Sequence, residues 1–544
     1  MSFEISEKDL QGRIGKLTTK SGVVTTPTLL PVIHPSLQPD GLSKLLQEVP
    51  CEAIIANAYL LKKHFNDQVI QHGIHDFLGY NGVVMTDSGA YQILVYGDVE
   101  ISPEEIIEFE ASIQTDIAVI LDVPTGWNVT KTRAIDTVDE TLRRAKAAIA
   151  QIEDSEILWV GPIQGGNHMD LVAHSAQQIS RLPFDIYALG SPTQVMERYL
   201  FDILTDMIVT AKRNTSTEKP LHLFGAGHPF MFSLAVALGC DTFDSAAYAI
   251  FARKDKYLTT YGTTHLKDLA YFPCSCPCCQ QYEPNDLKEL PKKEREPLLL
   301  KHNLYTCFLE IKRIKQAIHE GRLWELLELR SRSHPTLFTA FKRLTQYRHF
   351  LEAASPSKKP RGLFLFDDYG LTRPAITRFH RKLERWKPST QYRLLVFLPN
   401  PYSKPFHRSR EFRRLQRYLN ARKGDWSDLH FCLFGFPFGV IPLELDGVYP
   451  LSQYEASQST TSETIDYVLK CVWKYIYEGN HGCKHVVIHL PSGYSKPFHR
   501  YMNNNSDTRI NICTNLVDEA IWSRLALDRL VTKILSIMNN IDTR

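Results

Sequence analysis

Short, almost continuously apolar runs recur through roughly the first 250 residues, and a polar turn and a helix-like stretch separate each run from the next. Such runs are typical of parallel strands that are buried on both faces by helices. Seven or eight units of this kind in roughly 250 residues favour an α/β fold of the (β/α)₈ (TIM) barrel type over an open sheet. The runs are 53–58, 82–86, 117–123, 158–164, 186–190, 221–226 and 241–245.

Polar residues or glycines lie at or just past the ends of six of these runs. In a TIM barrel the carboxyl ends of the strands form the face on which active sites are built. Any one of these residues could instead be a turn or helix-capping residue, but together they favour a functional site. They are Asp87, Asp122, Gln164, the Gly190–Ser191 pair, the Gly227–His228 pair and Asp244.

The rest of the chain divides at a linker. Apolar residues recur at helical spacing through 303–350, and Pro, Ser and charged residues replace that pattern at 353–362. We therefore predict a barrel domain over 1–352, with a metal-binding subdomain and helical extension at about 270–350, and a smaller α/β region over 363–544. That region could form two subdomains, 363–455 and 460–544. Its predicted strands are 363–366, 393–398, 430–435 and 485–490, and its predicted helices are 375–386, 408–420, 464–478 and about 516–539.

Composition adds only general limits. Hydrophobic residues make up 43% of the chain and charged residues 23%, which is typical of a globular protein with a sizeable core. The net charge of +3 says little about partners. The amino terminus is charged and lacks an apolar signal segment, and no apolar run is long enough to span a bilayer. We expect a cytoplasmic protein.

Four cysteines lie within six residues, in the segment Cys274-Ser-Cys-Pro-Cys-Cys279, and His302 follows 23 residues later. Closely spaced thiolates and a later imidazole are the ligands of a structural, tetrahedral zinc site. Four cysteines compete for three positions, so either Cys278 or Cys279 is left over. An incidental cluster of reactive thiols is the alternative interpretation.

Several motifs resemble the archaeal tRNA-guanine transglycosylases, from about residue 3 to about 350. They are MTDSGAYQ (85–92), LDVPT (121–125), HLFGAGHP (222–229), FDSAAY (243–248), the C-x-C-x-x-C cluster and HNLY (302–305). The resemblance implies a TIM barrel that exchanges guanine 15 in the tRNA D-loop for 7-cyano-7-deazaguanine (preQ0), the first tRNA step of archaeosine synthesis. It also implies dimerisation through the zinc region. The implied zinc ligands are Cys274, Cys276, Cys279 and His302.

A base exchange at a ribose C1′ without hydrolysis needs a group that holds the sugar while one base replaces another. Retaining glycosidases do this with two carboxylates, one that attacks and one that transfers protons. The residues alone do not decide which of Asp87 and Asp244 attacks. The resemblance implies that Asp244 is the nucleophile of a covalent intermediate and that Asp87 is the general acid/base.

The resemblance also implies a set of base-binding residues. Asp122 would accept hydrogen bonds from N1–H and the exocyclic amine of a guanine-like base, and Tyr91 would stack on the ring. Ordinary core packing is the alternative for Tyr91, and an indirect role is the alternative for Gln164. The O6 side of the base would be read by Gln164 and by backbone groups near Leu189 and Gly190, with a further contact from Ser88.

No P-loop and no G-x-G-x-x-G motif is present, so we expect no nucleotide cofactor.

The region 373–423 is rich in Arg and Lys with interleaved aromatic residues, a composition typical of RNA-binding surfaces. A solvated basic face without a partner is the alternative.

The heptapeptide YSKPFHR occurs at 402–408 and again at 494–500, each time after a strand that ends in Leu-Pro. An internal duplication is therefore plausible, and we expect both copies to lie in strand-to-loop segments that expose Lys, His and Arg.

This second region resembles the middle domains shared by archaeal transglycosylases and archaeosine synthase. The synthase loop has a cysteine after the proline, and here Asn400 and Ser492 take that place. We therefore favour tRNA docking over synthase chemistry. No segment after Arg500 matches the PUA domain of the full-length family, and we expect a separate PUA-bearing subunit. The remaining alternatives are a synthase-like enzyme and a non-catalytic tRNA-binding subunit.

Overall fold

The computed structural model describes residues 2–36, 46, 48–90, 101–153, 155–422, 426–457, 461–503, 510–514 and 520–542. The chain divides into two compact units, Met1–Pro356 and Ser357–Arg544. In the described part of the chain, no helix is both long enough and apolar enough to cross a membrane.

All seven predicted runs form strands of one closed parallel barrel, so the predicted TIM barrel is confirmed. The barrel strands β4 to β11 follow one another in chain order, and β11 closes the barrel by pairing with β4. The strands of the first unit are β1 (Phe3–Asp9), β2 (Gly12–Thr18), β3 (Val23–Thr26), β4 (Thr28–Ile33), β5 (Ala53–Asn57), β6 (Val83–Asp87), β7 (Ile117–Val119), β8 (Leu158–Ile163), β9 (Ile186–Leu189), β10 (Leu221–Leu223), β11 (Thr242–Ser245), β12 (Lys256–Thr259) and β13 (Gly262–His265).

The eighth barrel strand, β4, precedes the first of the predicted runs. Its sequence, TLLPVI, contains Pro31, and a proline weakens the strand signal because it cannot donate a ladder hydrogen bond. The strand forms because its neighbours on both sides are parallel barrel strands, β11 and β5.

The amino-terminal end of the barrel is covered by the antiparallel sheet β1–β2–β3. Phe3, Leu17 and Val24 of this sheet belong to the same buried cluster as Ala53 and Val83, the first residues of two barrel strands. Because the sheet fills this end with apolar side chains, the opposite, carboxyl end of the strands is left for polar chemistry.

Helices connect the barrel strands and continue beyond the last one. The helical pattern predicted for 303–350 is confirmed, although its first helix already begins at Lys292. The helices are α1 (Ala58–His72), α2 (Ile74–Leu78), α3 (Pro103–Ser112), α4 (Lys131–Ile152), α5 (Met169–Ser180), α6 (Thr193–Glu197), α7 (Phe201–Arg213), α8 (Pro229–Ala237), α9 (Ala247–Arg253), α10 (Pro277–Gln281), α11 (Pro284–Glu289), α12 (Lys292–His319), α13 (Leu323–Ser331), α14 (Pro335–Arg343) and α15 (Arg348–Ala354).

The second unit is an α/β structure, as predicted. Its main sheet has the order β17-β16-β15-β19-β20, and only β17 is antiparallel to its neighbour. The stretches 363–455 and 460–544 both contribute strands to this sheet. The elements are β14 (Leu363–Leu365), α16 (Pro374–Leu383), β15 (Leu394–Pro399), α17 (Arg410–Ala421), β16 (Leu429–Gly435), β17 (Gly439–Pro442), β18 (Tyr454–Ala456), α18 (Ser462–Glu478), β19 (His485–Leu490), α19 (Ser492–Asn503), β20 (Ile510–Thr514) and α20 (Arg524–Asp542).

The two heptapeptide copies adopt different conformations. The first copy is a loop that ends in a 3₁₀ turn at Phe406–Arg408, whereas the second lies inside helix α19. The predicted strand-to-loop position is therefore wrong for the second copy. Asn400 and Pro401 precede the first copy, and the residue before a proline disfavours helical backbone angles. Ser492 and Gly493 stand at the same place before the second copy and impose no such barrier to a helix.

Candidate active site

Three aspartates meet at the carboxyl rim of the barrel. Asp87 is the last residue of β6, Asp244 is the third residue of β11, and Asp122 lies three residues beyond β7. Burial and, to a smaller extent, the negative charges of Asp244 and Asp122 together raise the pKa of Asp87 to about 7. The three carboxylates are therefore close enough to interact electrostatically.

Asp244 is held through one of its two oxygens. The backbone N–H of Gly225 donates a 2.9 Å hydrogen bond to Oδ1, and Nε2 of His222 lies 3.1 Å from the same atom. No described residue hydrogen-bonds the second oxygen, Oδ2. A buried carboxylate that is oriented through one oxygen presents the other for nucleophilic attack.

Asp87 has a different environment. Nδ2 of Asn57 donates a 3.3 Å hydrogen bond to Asp87 Oδ2, while Oδ1 of Asn57 accepts from the backbone N–H of Leu60 and so caps α1. The helix cap thus fixes the side chain that contacts Asp87. A carboxyl group with a pKa near neutrality can both donate and accept a proton at physiological pH.

Glu110 adds a further buried carboxyl group near Asp87. It lies on α3 and is fully buried. Burial raises the pKa of Glu110 well above its usual range, and the charge of Asp87 raises it further. The sequence gives no signal that Glu110 is buried, because a glutamate on an amphipathic helix is ordinarily exposed.

Asp122 is oriented by Gln164, which directly follows β8. Nε2 of Gln164 donates a hydrogen bond to Oδ2 of Asp122, and burial raises the pKa of that carboxyl to about 6. Oε1 of Gln164 accepts from the backbone N–H of Thr125 at 2.9 Å and from the Ser191 hydroxyl at 3.0 Å. Most of the hydrogen-bonding capacity of Gln164 is thus used within the protein.

Gly190 and Ser88 close the polar rim. A methyl group at Gly190 would overlap the Gln164 amide nitrogen, so glycine is required there. The Gly190 N–H donates to the Ile163 carbonyl at 2.9 Å and is therefore occupied, while the adjoining Leu189 is fully buried. The Ser88 hydroxyl donates to the Ile120 carbonyl at 3.3 Å. Tyr91 lies outside the described residues.

The four predicted metal ligands come together. The ligand atoms of Cys274, Cys276, Cys279 and His302 all lie within 4.8 Å of one another. Sγ of Cys276 and Sγ of Cys279 lie 3.5 and 3.4 Å from Nδ1 of His302. A tetrahedral zinc site separates its ligand atoms by roughly 3.5 to 3.8 Å, so the group fits such an ion.

The orientation of His302 also supports a metal at this group. Nε2 of His302 lies 2.8 Å from the Leu258 carbonyl, a contact that fixes the ring and leaves Nδ1 facing the sulfurs. Cys278 is buried and is not part of the group. Of the two candidates Cys278 and Cys279, it is Cys279 that lies with the other three side chains.

Two family models match the chain. The model described as queuine tRNA-ribosyltransferase matches residues 8–336, and a domain of unknown function, DUF5591, matches residues 376–534. The first match contains every candidate site and metal residue named above.

Archaeal proteins named tRNA-guanine(15) transglycosylase are similar over most of the chain. The Methanocaldococcus jannaschii protein is 42% identical over 84% of this chain and 68% of its own length. The Pyrobaculum aerophilum protein is 44% identical over 84% of this chain and 90% of its own length. The Saccharolobus solfataricus protein is 41% identical over 90% of this chain and 98% of its own length. The first family model matches more than half of the chain, and the relatives are similar over most of its length. Together with the barrel and its acidic rim, these matches show that the chain belongs to the queuine tRNA-ribosyltransferase family.

Proposed function

We propose that this protein exchanges guanine 15 in the tRNA D-loop for preQ0 through a covalent aspartyl-ribose intermediate, as the first tRNA step of archaeosine synthesis. The observation that carries the proposal is the contrast between two interacting carboxyl groups. Asp244 is held through Oδ1, and Asp87 has a pKa of about 7. This pairing suits a nucleophile and a proton carrier.

In the proposed reaction, Oδ2 of Asp244 attacks C1′ of guanosine 15 while the bond from C1′ to N9 breaks. The departing guanine takes the proton of Asp87. The incoming preQ0 then returns its N9 proton to Asp87, and N9 attacks C1′ and displaces Asp244. No proton or electron pair is lost over the cycle, so the exchange requires neither an oxidant nor ATP.

Asp122 is the proposed reader of the base. Guanine and preQ0 share the N1–H and the exocyclic amine, and a carboxylate can accept hydrogen bonds from both. The Gln164 amide fixes the orientation of Asp122. Gln164 therefore acts in this proposal through Asp122. The Leu189–Gly190 segment and Ser88 shape the wall of the same pocket, and Tyr91 would stack on the base. The target nucleotide must leave its stack to reach such a pocket.

We assign Zn²⁺ to the Cys274, Cys276, Cys279 and His302 group. Four protein ligands leave no open coordination position, and this supports a structural role for the ion.

The test is incorporation of labelled guanine into unmodified tRNA. Asp244→Ala and Asp87→Ala should abolish incorporation, whereas Asp136→Ala, at an exposed position of α4, should not. A denaturing gel should reveal a protein–tRNA adduct with the wild type and none with Asp244→Ala. If the wild type binds tRNA but incorporates no label, the protein is a tRNA-binding platform and the proposal fails.

A further inference from the structure

The central sheet of the second unit contains a point where the chain reverses its winding. From β15 the chain passes through α17 to β16 on one side, and β19 lies on the other side of β15. Helices α17 and α20 pack on one face of the sheet, and α18 and α19 pack on the opposite face. In open α/β sheets a crevice forms outside the carboxyl ends of the two strands at such a point, and ligands bind there.

The duplicated segment leaves the sheet at this crevice. LPNPYSKPFHR (398–408) follows β15 and LPSGYSKPFHR (490–500) follows β19, and the two copies share nine of eleven residues. Both copies reach the end of β16. The Asn400 N–H donates to the Phe434 carbonyl at 3.1 Å, and the rings of Tyr494 and Phe434 are 5.8 Å apart.

The two copies form opposite walls of the crevice. Phe406 and Phe498 occupy the same position of the repeat, and both are fully buried. Phe406 belongs to the core on one face of the sheet, whereas Phe498 belongs to the core on the other face. Identical anchors thus hold the two basic segments on either side of the strand ends.

In the first copy a buried carboxylate positions a guanidinium group. Asp446 is 1% exposed and accepts 2.6 Å hydrogen bonds from the N–H of His407 at one oxygen and from its Nδ1 at the other. Nε2 of His407 accepts from Nε of Arg408 at 3.2 Å. This chain of contacts orients the exposed Arg408 through its Nε. Its terminal nitrogens have no hydrogen-bond partner among the described residues, and they can form a fork on an anion.

In the second copy, Lys496, His499 and Arg500 lie at spacings of three and four residues on helix α19, so they share one face. All three are exposed. Within the described ranges, none of them forms an ion pair with a carboxylate. On the first wall, the exposed Arg410, Arg413 and Arg417 of α17 continue the row of positive charge beyond Arg408.

We propose that this crevice is an RNA-binding site that holds backbone phosphates of tRNA between Arg408 on one wall and Lys496 and Arg500 on the other. The row of arginines beyond the crevice favours a polyanion over a single free phosphate. The choice of tRNA as the RNA rests on the proposed function.

The test compares two double variants of the full chain. Lys496→Ala/Arg500→Ala removes two charges from the crevice. Lys470→Ala/Lys484→Ala removes two exposed charges elsewhere on the same unit, one of them directly before the amino end of β19. Affinity for unmodified tRNA is measured by fluorescence anisotropy at several salt concentrations. The crevice variant should bind roughly tenfold more weakly and show a salt slope shallower by about two, and the control should match the wild type.

Asp446→Asn separates positioning from general electrostatics. This change removes a negative charge, so an electrostatic effect alone would tighten tRNA binding. Positioning of Arg408 through His407 instead predicts weaker binding, with an effect no larger than that of Arg408→Ala. A purely structural role for Asp446 would change the melting temperature and leave the Kd for tRNA unmoved.

Failure of this inference differs from failure of the proposed function. If the wild type incorporates guanine and the crevice variant matches the control in Kd and salt slope, the crevice is not an RNA site. If both double variants weaken binding equally, the effect is unspecific and the inference is also overturned. If the wild type binds tRNA but incorporates no guanine, only the proposed function fails.

Discussion

The imidazole of His222 lies between Asp244 and Thr242. Nε2 is 3.1 Å from Oδ1 of Asp244, and Nδ1 is 3.0 Å from the Thr242 hydroxyl. His222 is fully buried, and its two polar neighbours lie on the adjacent strand β11. The orientation of the proposed nucleophile is therefore set by a side chain of the neighbouring strand.

Replacing His222 by alanine should leave Asp244 held only by the Gly225 N–H. Misplacement of a reacting group by about 1 Å can cost about 100-fold in rate. We therefore expect His222→Ala to lower kcat for guanine incorporation by about 10- to 100-fold, with a smaller change in the KM for tRNA. His222→Asn should recover part of the loss. A kcat within twofold of the wild type for His222→Ala would contradict this role.

The raised pKa of Asp87 has a consequence for stability. Its ordinary value is 3.8 and its value in the fold is about 7. Between these values the folded state binds more protons than the unfolded state, so this group lowers the free energy of unfolding as pH rises from about 4 to about 7. Asp87→Asn should abolish activity yet be more stable than the wild type at pH 8, by an amount on the order of 1 to 4 kcal/mol.

The measurement for Asp87 is urea denaturation of wild type and variant at pH 5 and pH 8. The difference in unfolding free energy between the two proteins should be larger at pH 8. Asp136→Asn, at an exposed position, should show no such pH-dependent difference. A gain of stability that is the same at both pH values would argue against burial of an ionised Asp87.

Substitution of a cysteine in the four-ligand group should remove the metal, whereas substitution of a cysteine outside the group should not. Cys279→Ala should lower the bound zinc per chain and the melting temperature, because a structural zinc contributes directly to folding. Cys278→Ala should keep the metal, since Cys278 lies outside the group. Elemental analysis of the purified variants decides between them. Equal metal loss in both would mean that the ligand set is wrong.

Gly190→Ala should weaken recognition of the base. The added methyl group would displace the Gln164 amide, which orients Asp122. We expect a rise of roughly tenfold in the KM for guanine and a stability loss of about 1 to 3 kcal/mol from overpacking. Gly22→Ala is the matched control, because a methyl group there meets only Val83 at an ordinary contact distance of 3.6 Å. An unchanged KM would show that Gln164 does not control Asp122.

The sequence predicts the barrel and much of its rim because both depend on local patterns. Continuous apolar runs identify parallel strands, and polar residues at their ends identify Asp87, Asp122 and Asp244. The sequence does not single out His222 as a site residue, because it lies inside a three-residue strand and its partner Asp244 is 22 residues away. Glu110 cannot be found in this way, because nothing in the sequence distinguishes a buried glutamate on a helix from an exposed one.

The second unit shows a different limit. The short strands β17, β18 and β20 have no periodic pattern of their own and form by pairing with neighbours. The two copies of the repeat differ at only two of eleven positions, yet one is a loop and the other a helix. Local sequence alone therefore cannot assign the conformation of such a segment.

The three aspartates at the barrel rim also affect which small molecules should bind there. Like charges that lie close together in a buried site repel one another, and a bound positive charge relieves this repulsion. The sugar in a glycosyl transfer becomes cationic near its transition state. Ribose analogues that carry a permanent positive charge at the ring should therefore bind more tightly than neutral analogues of the same shape, and such compounds are a rational starting point for inhibitors of this rim.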